Sequence, residues 1–186
     1  TQYTSSAASD VYKRQVIADA KRGDIGNTGL HYANAFFSHF NCDAITVSPY
    51  MGEESIEPFI SNPSKGAYVL CRTSNKSSTF IQEEIYSKVI SLCEALNNQQ
   101  NIGLVVGATN DDALMKVRNS TDLPFLIPGI GAQGGDLQSV LKINEKNMDT
   151  TLINVSRGII FSGNKDHDSI RDSAKQYLSK IRGLNG

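Results

Sequence analysis

Six short apolar runs punctuate this chain: Val16–Ala20, Ala44–Val47, Ala67–Cys71, Gly103–Val106, Phe125–Ile127 and Thr151–Val155. They are rich in Val, Ile and Ala and lack the polar alternation of a strand with one wet face. Runs apolar enough to be buried on both faces read as parallel strands covered by helices.

The intervals carry helical spacing. Leu30, Ala33, Phe36, Phe37 and Phe40 recur at three- and four-residue steps, as do Ile81, Ile85, Val89, Leu92 and Leu96, with Glu84 four residues before Lys88. Asp136 is placed to cap a helix over Leu137–Ile143. A last helix carries Ile170, Ala174, Tyr177, Leu178 and Ile181, with Gly183 at its end. Weaker patterns cover Glu53–Ser61 and Asp111–Arg118. Six β-α units in series define a parallel α/β fold. A doubly wound sheet and an incomplete barrel both satisfy this count, and periodicity does not choose between them.

At 186 residues the chain can bury one core, so one domain is expected. A net charge of -1 gives no electrostatic reason to expect nucleic acid or an anionic membrane as partner, so a bound anion must be held by a local site. Cys42, Cys71 and Cys93 follow neither zinc nor disulfide spacing and read as reduced thiols. No apolar run approaches the roughly 20 residues of a membrane span, and the N-terminus lacks the order of a secretory signal. A cytoplasmic protein is expected. Residues 1–15 are polar and aperiodic, and the character changes at Val16. This leader resembles a cloning or assembly junction more than a native tail, so the barrel domain is set at 16–186.

Every strand ends in polar or glycine-rich residues on its carboxyl side, where βα loops of a barrel converge on one mouth. The densest such end is Asp19-Ala-Lys21-Arg-Gly-Asp24. Strand alternation puts Asp19 and Lys21 on one face, toward a barrel axis where unpaired charge is costly. Asp24 falls just beyond. Two carboxylates around one ammonium keep the lysine charged and able to deliver a proton. An ion-pair network that merely closes the barrel end is the competing reading, though buried networks rarely stabilise for their own sake.

The segment 128–136, with Pro128, four glycines, Gln133 and Asp136, follows the fifth run and opens a helix. Its glycines would let backbone N–H groups approach an anion, and the helix N-terminus would add favourable potential. Taken alone it could equally be a tight turn. Arg157 and Gly158 follow the sixth run, and a guanidinium suits forked bonding to phosphate. Barrels often bind phosphate after their last two strands. Ser74 and Asn75 could hydrogen-bond a base or form a loop turn. His31, His39 and His167 lack partners at metal-ligand spacing, Cys71 has no activating histidine, and Gly103–Gly107 lacks the Gly-Lys-Ser/Thr of a phosphate loop. No metal site is expected.

The element Asp19-x-Lys21-x-x-Asp24-Ile25, with Thr28 beyond it, closely resembles the signature of orotidine 5'-phosphate decarboxylases, particularly a bacterial branch with this core. The segments 46–52, 70–75, 105–109, 127–136 and 154–159 extend the likeness from Val16 to about Gly163. The resemblance implies a (β/α)8 TIM barrel acting on orotidine 5'-phosphate without a cofactor, as a homodimer with shared sites. It implies that Lys21 protonates C6 and that Asp19 lies against the substrate carboxylate. Asp24, Ile25 and Thr28 would reach into the partner's site. Ser74 would bond the pyrimidine and Pro128 line its pocket, while Gln133, Arg157 and the Gly158 amide hold the phosphate.

A full barrel has eight strands and about 250 residues, whereas six strands are counted here. By the resemblance, the first strand, with the family's ribose-binding aspartate, and the second, with its further lysine, are expected to be missing upstream of Val16. The chain is therefore expected to be N-terminally truncated, to have little decarboxylase activity alone, and to expose strand edges that invite aggregation. Two other functions fit less of the sequence: a magnesium-dependent sugar-phosphate decarboxylase or aldolase of the same superfamily, and a non-catalytic barrel that binds phosphate ligands.

Overall fold

The computed structural model describes residues 14–131 and 133–183. Residues 1–13 of the polar leader and Ala132 of the glycine segment lie outside them.

Six strands form one parallel sheet: β1 (Ile17–Arg22), β2 (Ala44–Val47), β3 (Gly66–Arg72), β4 (Ile102–Val106), β5 (Phe125–Ile127) and β6 (Thr151–Ile153). The connecting helices are α1 (Gly26–Asn34), α2 (Glu57–Ile60), α3 (Thr79–Leu96), α4 (Asp111–Arg118), α5 (Leu137–Ile143), α6 (Arg157–Ile160) and α7 (His167–Ile181). The strand order is β1-β2-β3-β4-β5-β6, strictly sequential, with β1 and β6 at the two edges. This order removes the doubly wound alternative. A doubly wound sheet reverses its strand order once, whereas right-handed crossovers that always step the same way put every helix on one face. The result is six of the eight units of a TIM barrel.

Alternation along the strands sorts the side chains. Ile45 and Val47, Val69 and Cys71, Leu104 and Val106, and Phe125 and Ile127 face the helices and are fully or nearly fully buried. They pack with Phe59, Val89, Cys93, Leu114, Val117 and Val140 into one core. The opposite, concave face carries Ile17, Leu70, Val105, Leu126 and Leu152 around an open groove, and Leu152 is 44% exposed. The helices themselves stop where their sequences say they should. Asp136 accepts the Ser139 N–H at 2.8 Å and Asp166 accepts the Ser169 N–H at 2.7 Å, each capping a helix start. No helix among the described residues is long and apolar enough to cross a membrane.

At the lower end of the sheet the buried Arg118 fastens the turn from α4 into β5. Its guanidinium donates to Asn144 and to the Thr121 and Leu123 carbonyls, and lies 3.4 Å over the Phe125 ring. Burial pulls this cation down to about 10 against a partial opposing pull from Asp122.

Candidate active site

Asp19 and Lys21 meet at the carboxyl end of β1, with Nζ 2.5 Å from Oδ1. They share a face, as strand alternation places them, but the strand is distorted between them. β1 slips register against β2 between Ala18 and Arg22, and Lys21 has φ of +49°. A bulge that turns a non-glycine residue into the left-handed region is a strained device found beside functional groups. The carboxyl of Asp19 is pushed up by partial burial, but hydrogen bonds from Lys21 and Thr46 and the ammonium's charge outweigh that and hold it below its ordinary range.

Two expectations about this corner are corrected. The pair is not sunk in a barrel interior: the two side chains are 50% and 61% exposed, because the concave face of a six-stranded sheet stays open. Nor do two carboxylates flank the ammonium. The Asp24 side chain instead accepts the Ile25 N–H at 2.9 Å, and among the described residues Lys21 forms an ion pair with Asp19 alone. Asp24, Ile25 and Thr28 sit at the start of α1 on the outer rim, with Ile25 52% exposed.

Across the mouth, Ser74 Oγ donates to Gln133 Oε1 at 2.9 Å, and Thr109 Oγ1 donates to the Ser74 carbonyl at 3.0 Å. Gly107 makes this possible: a β-carbon there would lie 2.8 Å from the Ser74 nitrogen. A cavity of about 880 Å³ is lined by Asp19, Lys21, Ser74, Pro128 and Gln133 together with residues of β3 to β6. The charged pair and the Ser74–Gln133 pair therefore share one opening. Ser156 lines it too, and Arg157 and Gly158 follow directly in α6 with Arg157 exposed.

The glycine segment does not work as its composition suggests. The Gly131 N–H donates to the Gly135 carbonyl, Gly134 N–H to Gly131, and Gly135 N–H to Gly129. The first turn of α5 is already capped by the Asp136 carboxylate. Three of the loop's amides are thus spent on its own fold, and the Gln133 side chain is the loop's polar group at the cavity. Cys71 is packing, as expected: burial drives its thiol up to about 12. Among the described residues, no three His, Cys, Asp or Glu side chains cluster as metal ligands.

Three residues escaped the sequence reading as parts of the site: Gln82 and Asn154, which line the cavity, and Thr46, which lies behind the charged pair. Thr46 on β2 is 1% exposed and bonded to both members of the charged pair. Gln82 of α3 accepts the Thr73 N–H at 2.7 Å and fixes the loop before Ser74. Asn154 follows β6 and accepts from Ser156. A lone hydroxyl in an otherwise apolar strand was the available signal for Thr46.

A sequential parallel sheet with one helical layer, and a charged pair facing polar groups across the carboxyl-end mouth, defines a TIM-barrel enzyme of the kind that works at its strand ends. Comparison with known proteins narrows the class. The family model for "Orotidine 5'-phosphate decarboxylase / HUMPS family" matches residues 2–169. An orotidine 5'-phosphate decarboxylase of Dehalococcoides mccartyi (strain CBDB1) is 45% identical over 179 residues, covering 89% of this chain. One from Natronomonas pharaonis is 45% identical over 156 residues, covering 80% of this chain and 58% of its own. The solved structure of Leishmania donovani OMP decarboxylase superimposes with a TM-score of 0.83 at 40% identity, covering 91% of this chain and 68% of that one. The chain belongs to the orotidine 5'-phosphate decarboxylase family. It spans 66% of the length of the Dehalococcoides relative.

Proposed function

We propose that this chain carries the reacting end of a cytosolic decarboxylase that converts orotidine 5'-monophosphate to uridine 5'-monophosphate and CO2 in pyrimidine synthesis, with no cofactor. One observation carries the reading most directly: the Asp19–Lys21 pair and the Ser74–Gln133 pair line the same cavity. A nucleotide lying across that mouth could present its C6 carboxylate to one pair and its base and phosphate to the other.

Loss of CO2 from C6 leaves a carbanion in the plane of the pyrimidine, with no ring π-system aligned to delocalise it. Asp19 beside the departing carboxylate destabilises the bound ground state. Lys21 stabilises the developing negative charge and then donates its proton to C6. Ser74 bonds the base and Pro128 lines the pocket. Gln133, Arg157 and the Gly158 amide grip the phosphate, far from the bond that breaks, so their binding energy serves closure and positioning. Half-buried Asp24 and exposed Ile25 and Thr28, on the outer rim, reach into the site of a second copy in a homodimer.

The test joins this chain behind the first two β-α units of the Dehalococcoides mccartyi relative and follows the absorbance change as orotidine 5'-monophosphate is consumed. Turnover that is insensitive to EDTA and lost in Lys21→Ala is expected, while the unfused chain turns over little or not at all. A folded fusion that binds the nucleotide without releasing CO2 would make this a binding barrel. Turnover abolished by EDTA would make it a metal-dependent relative.

A further inference from the structure

We propose that Thr46 is the positioning residue of the Asp19–Lys21 pair, its single hydroxyl holding the bulged backbone of one and the carboxylate of the other. The proposal deepens the decarboxylase reading and names a residue that the charged signature itself does not contain.

Where β1 slips against β2, the chain at Lys21 leaves the regular ladder, and its N–H faces away from a strand carbonyl. A buried or half-buried N–H without a partner costs free energy comparable to a lost hydrogen bond. Thr46 Oγ1 accepts that N–H at 2.9 Å. The same oxygen donates its own proton to Asp19 Oδ1 at 2.9 Å. A hydroxyl has one proton to give and lone pairs to receive, so these two bonds are compatible and fix its rotation. Thr46 is itself 1% exposed within β2, so it has little freedom to move.

The consequence is directional. Asp19 Oδ1 receives both the Thr46 hydroxyl and the Lys21 ammonium, and this aims the lysine's tip at the carboxylate. A half-exposed Lys–Asp pair gains little from charge alone and would otherwise sample many rotamers. Holding it from a rigid neighbouring strand is what makes its geometry reproducible. Among the described residues, Lys21 from β1 is the one titratable group facing Asp19. Among the described residues lining the cavity, Asp19 and Lys21 alone carry ionisable side chains, and Thr46, which meets Asp19 from β2 behind the cavity wall, is uncharged.

The experiment is nuclear magnetic resonance on the unfused chain, reading the Lys21 amide exchange rate and the Asp19 carboxyl titration, with Asp19→Asn assigning the latter. In the unsubstituted chain the Lys21 amide should be protected from exchange. In Thr46→Val, which keeps the shape and removes the hydroxyl, that amide should exchange about tenfold faster and the Asp19 midpoint should move upward. Thr46→Ser should restore both. A Lys21 amide unprotected in the unsubstituted chain overturns the proposal. So does a Thr46→Val chain unchanged in both signals, or a folded Thr46→Ser chain that fails to restore them. If Thr46→Val does not fold, the unsubstituted and serine chains decide the matter. None of these readings needs nucleotide or turnover, so a chain that never decarboxylates would retract the enzyme reading and leave this one standing.

Discussion

Ser74 and Gln133, 59 residues apart in sequence, join side chain to side chain at 2.9 Å and tie the loop after β3 to the loop after β5. Both residues line the cavity, and each holds the other in place. In the two-unit fusion, Ser74→Ala and Gln133→Ala should each weaken uridine 5'-monophosphate binding. The double replacement should cost less than the sum, with a coupling of about 0.5–1.5 kcal/mol. Titration calorimetry on the four proteins measures it, and strict additivity would show that the bond has no bearing on the ligand.

Gly107 sets that same loop from beneath. A methyl group there would meet the backbone of Ser74 at 2.8 to 2.9 Å, and backbone cannot swing aside as a side-chain tip can. Gly107→Ala should therefore cost about 1–3 kcal/mol of stability and weaken ligand binding as much as Ser74→Ala does. Urea denaturation and calorimetry check the two effects.

The backbone at Lys21 separates stability from chemistry. At φ of +49° a lysine is strained and a β-branched residue more so. Lys21→Gly should leave stability unchanged or raised, since the lost ion pair is half-exposed and worth little. Lys21→Val should lose about 1–2 kcal/mol. Both should abolish turnover in the fusion. Thermal melts beside activity assays distinguish strain from charge.

Acid should unfold the chain through its low-lying carboxyls. Asp19, Asp136 and Asp166 are all held below the usual aspartate value of 3.8 in the folded state. For Asp19 the bonds from Lys21 and Thr46 overcome partial burial. For the other two, the capped amides of Ser139 and Ser169 are the main cause. A group with a depressed folded value contributes stability above its unfolded value and loses it as pH falls through the folded one. The melting temperature should thus hold steady down to near 3.8 and decline below it, and Asp19→Asn should make that decline shallower.

Thiol chemistry offers a check on the core. Burial pushes Cys71 and Cys93 each up to about 12, and Cys42 is raised in the same sense. Little thiolate exists at neutral pH, so a thiol-exchange reagent should label none of the three rapidly in the folded chain and all three in denaturant. Fast labelling of Cys71 or Cys93 under native conditions would mean that the layer between α3 and β3 opens readily.

Much of this was legible in the residues because parallel strands advertise themselves. Ile45, Leu104 and Phe125 sit in evenly apolar runs, and those runs became β2, β4 and β5. Asp136 announced its helix and capped it. The site was legible by residue type more than by geometry. Nothing in a lysine signals positive φ, so the bulge at Lys21 was hidden. Asp24 was placed beside the ammonium because spacing along a strand says nothing once the strand has ended. The glycines after Pro128 promised free amides, yet those of Gly131, Gly134 and Gly135 bond within the loop, which composition cannot reveal.

The two edge strands of the sheet, β1 and β6, run in the same direction. A hairpin cannot bridge them, because its two strands point opposite ways and only one could pair in the sheet's own sense. Closing the ring takes a β-helix-β piece whose crossover runs a dozen residues or more. A ring closed between these two strands would therefore need a helix as well as strands.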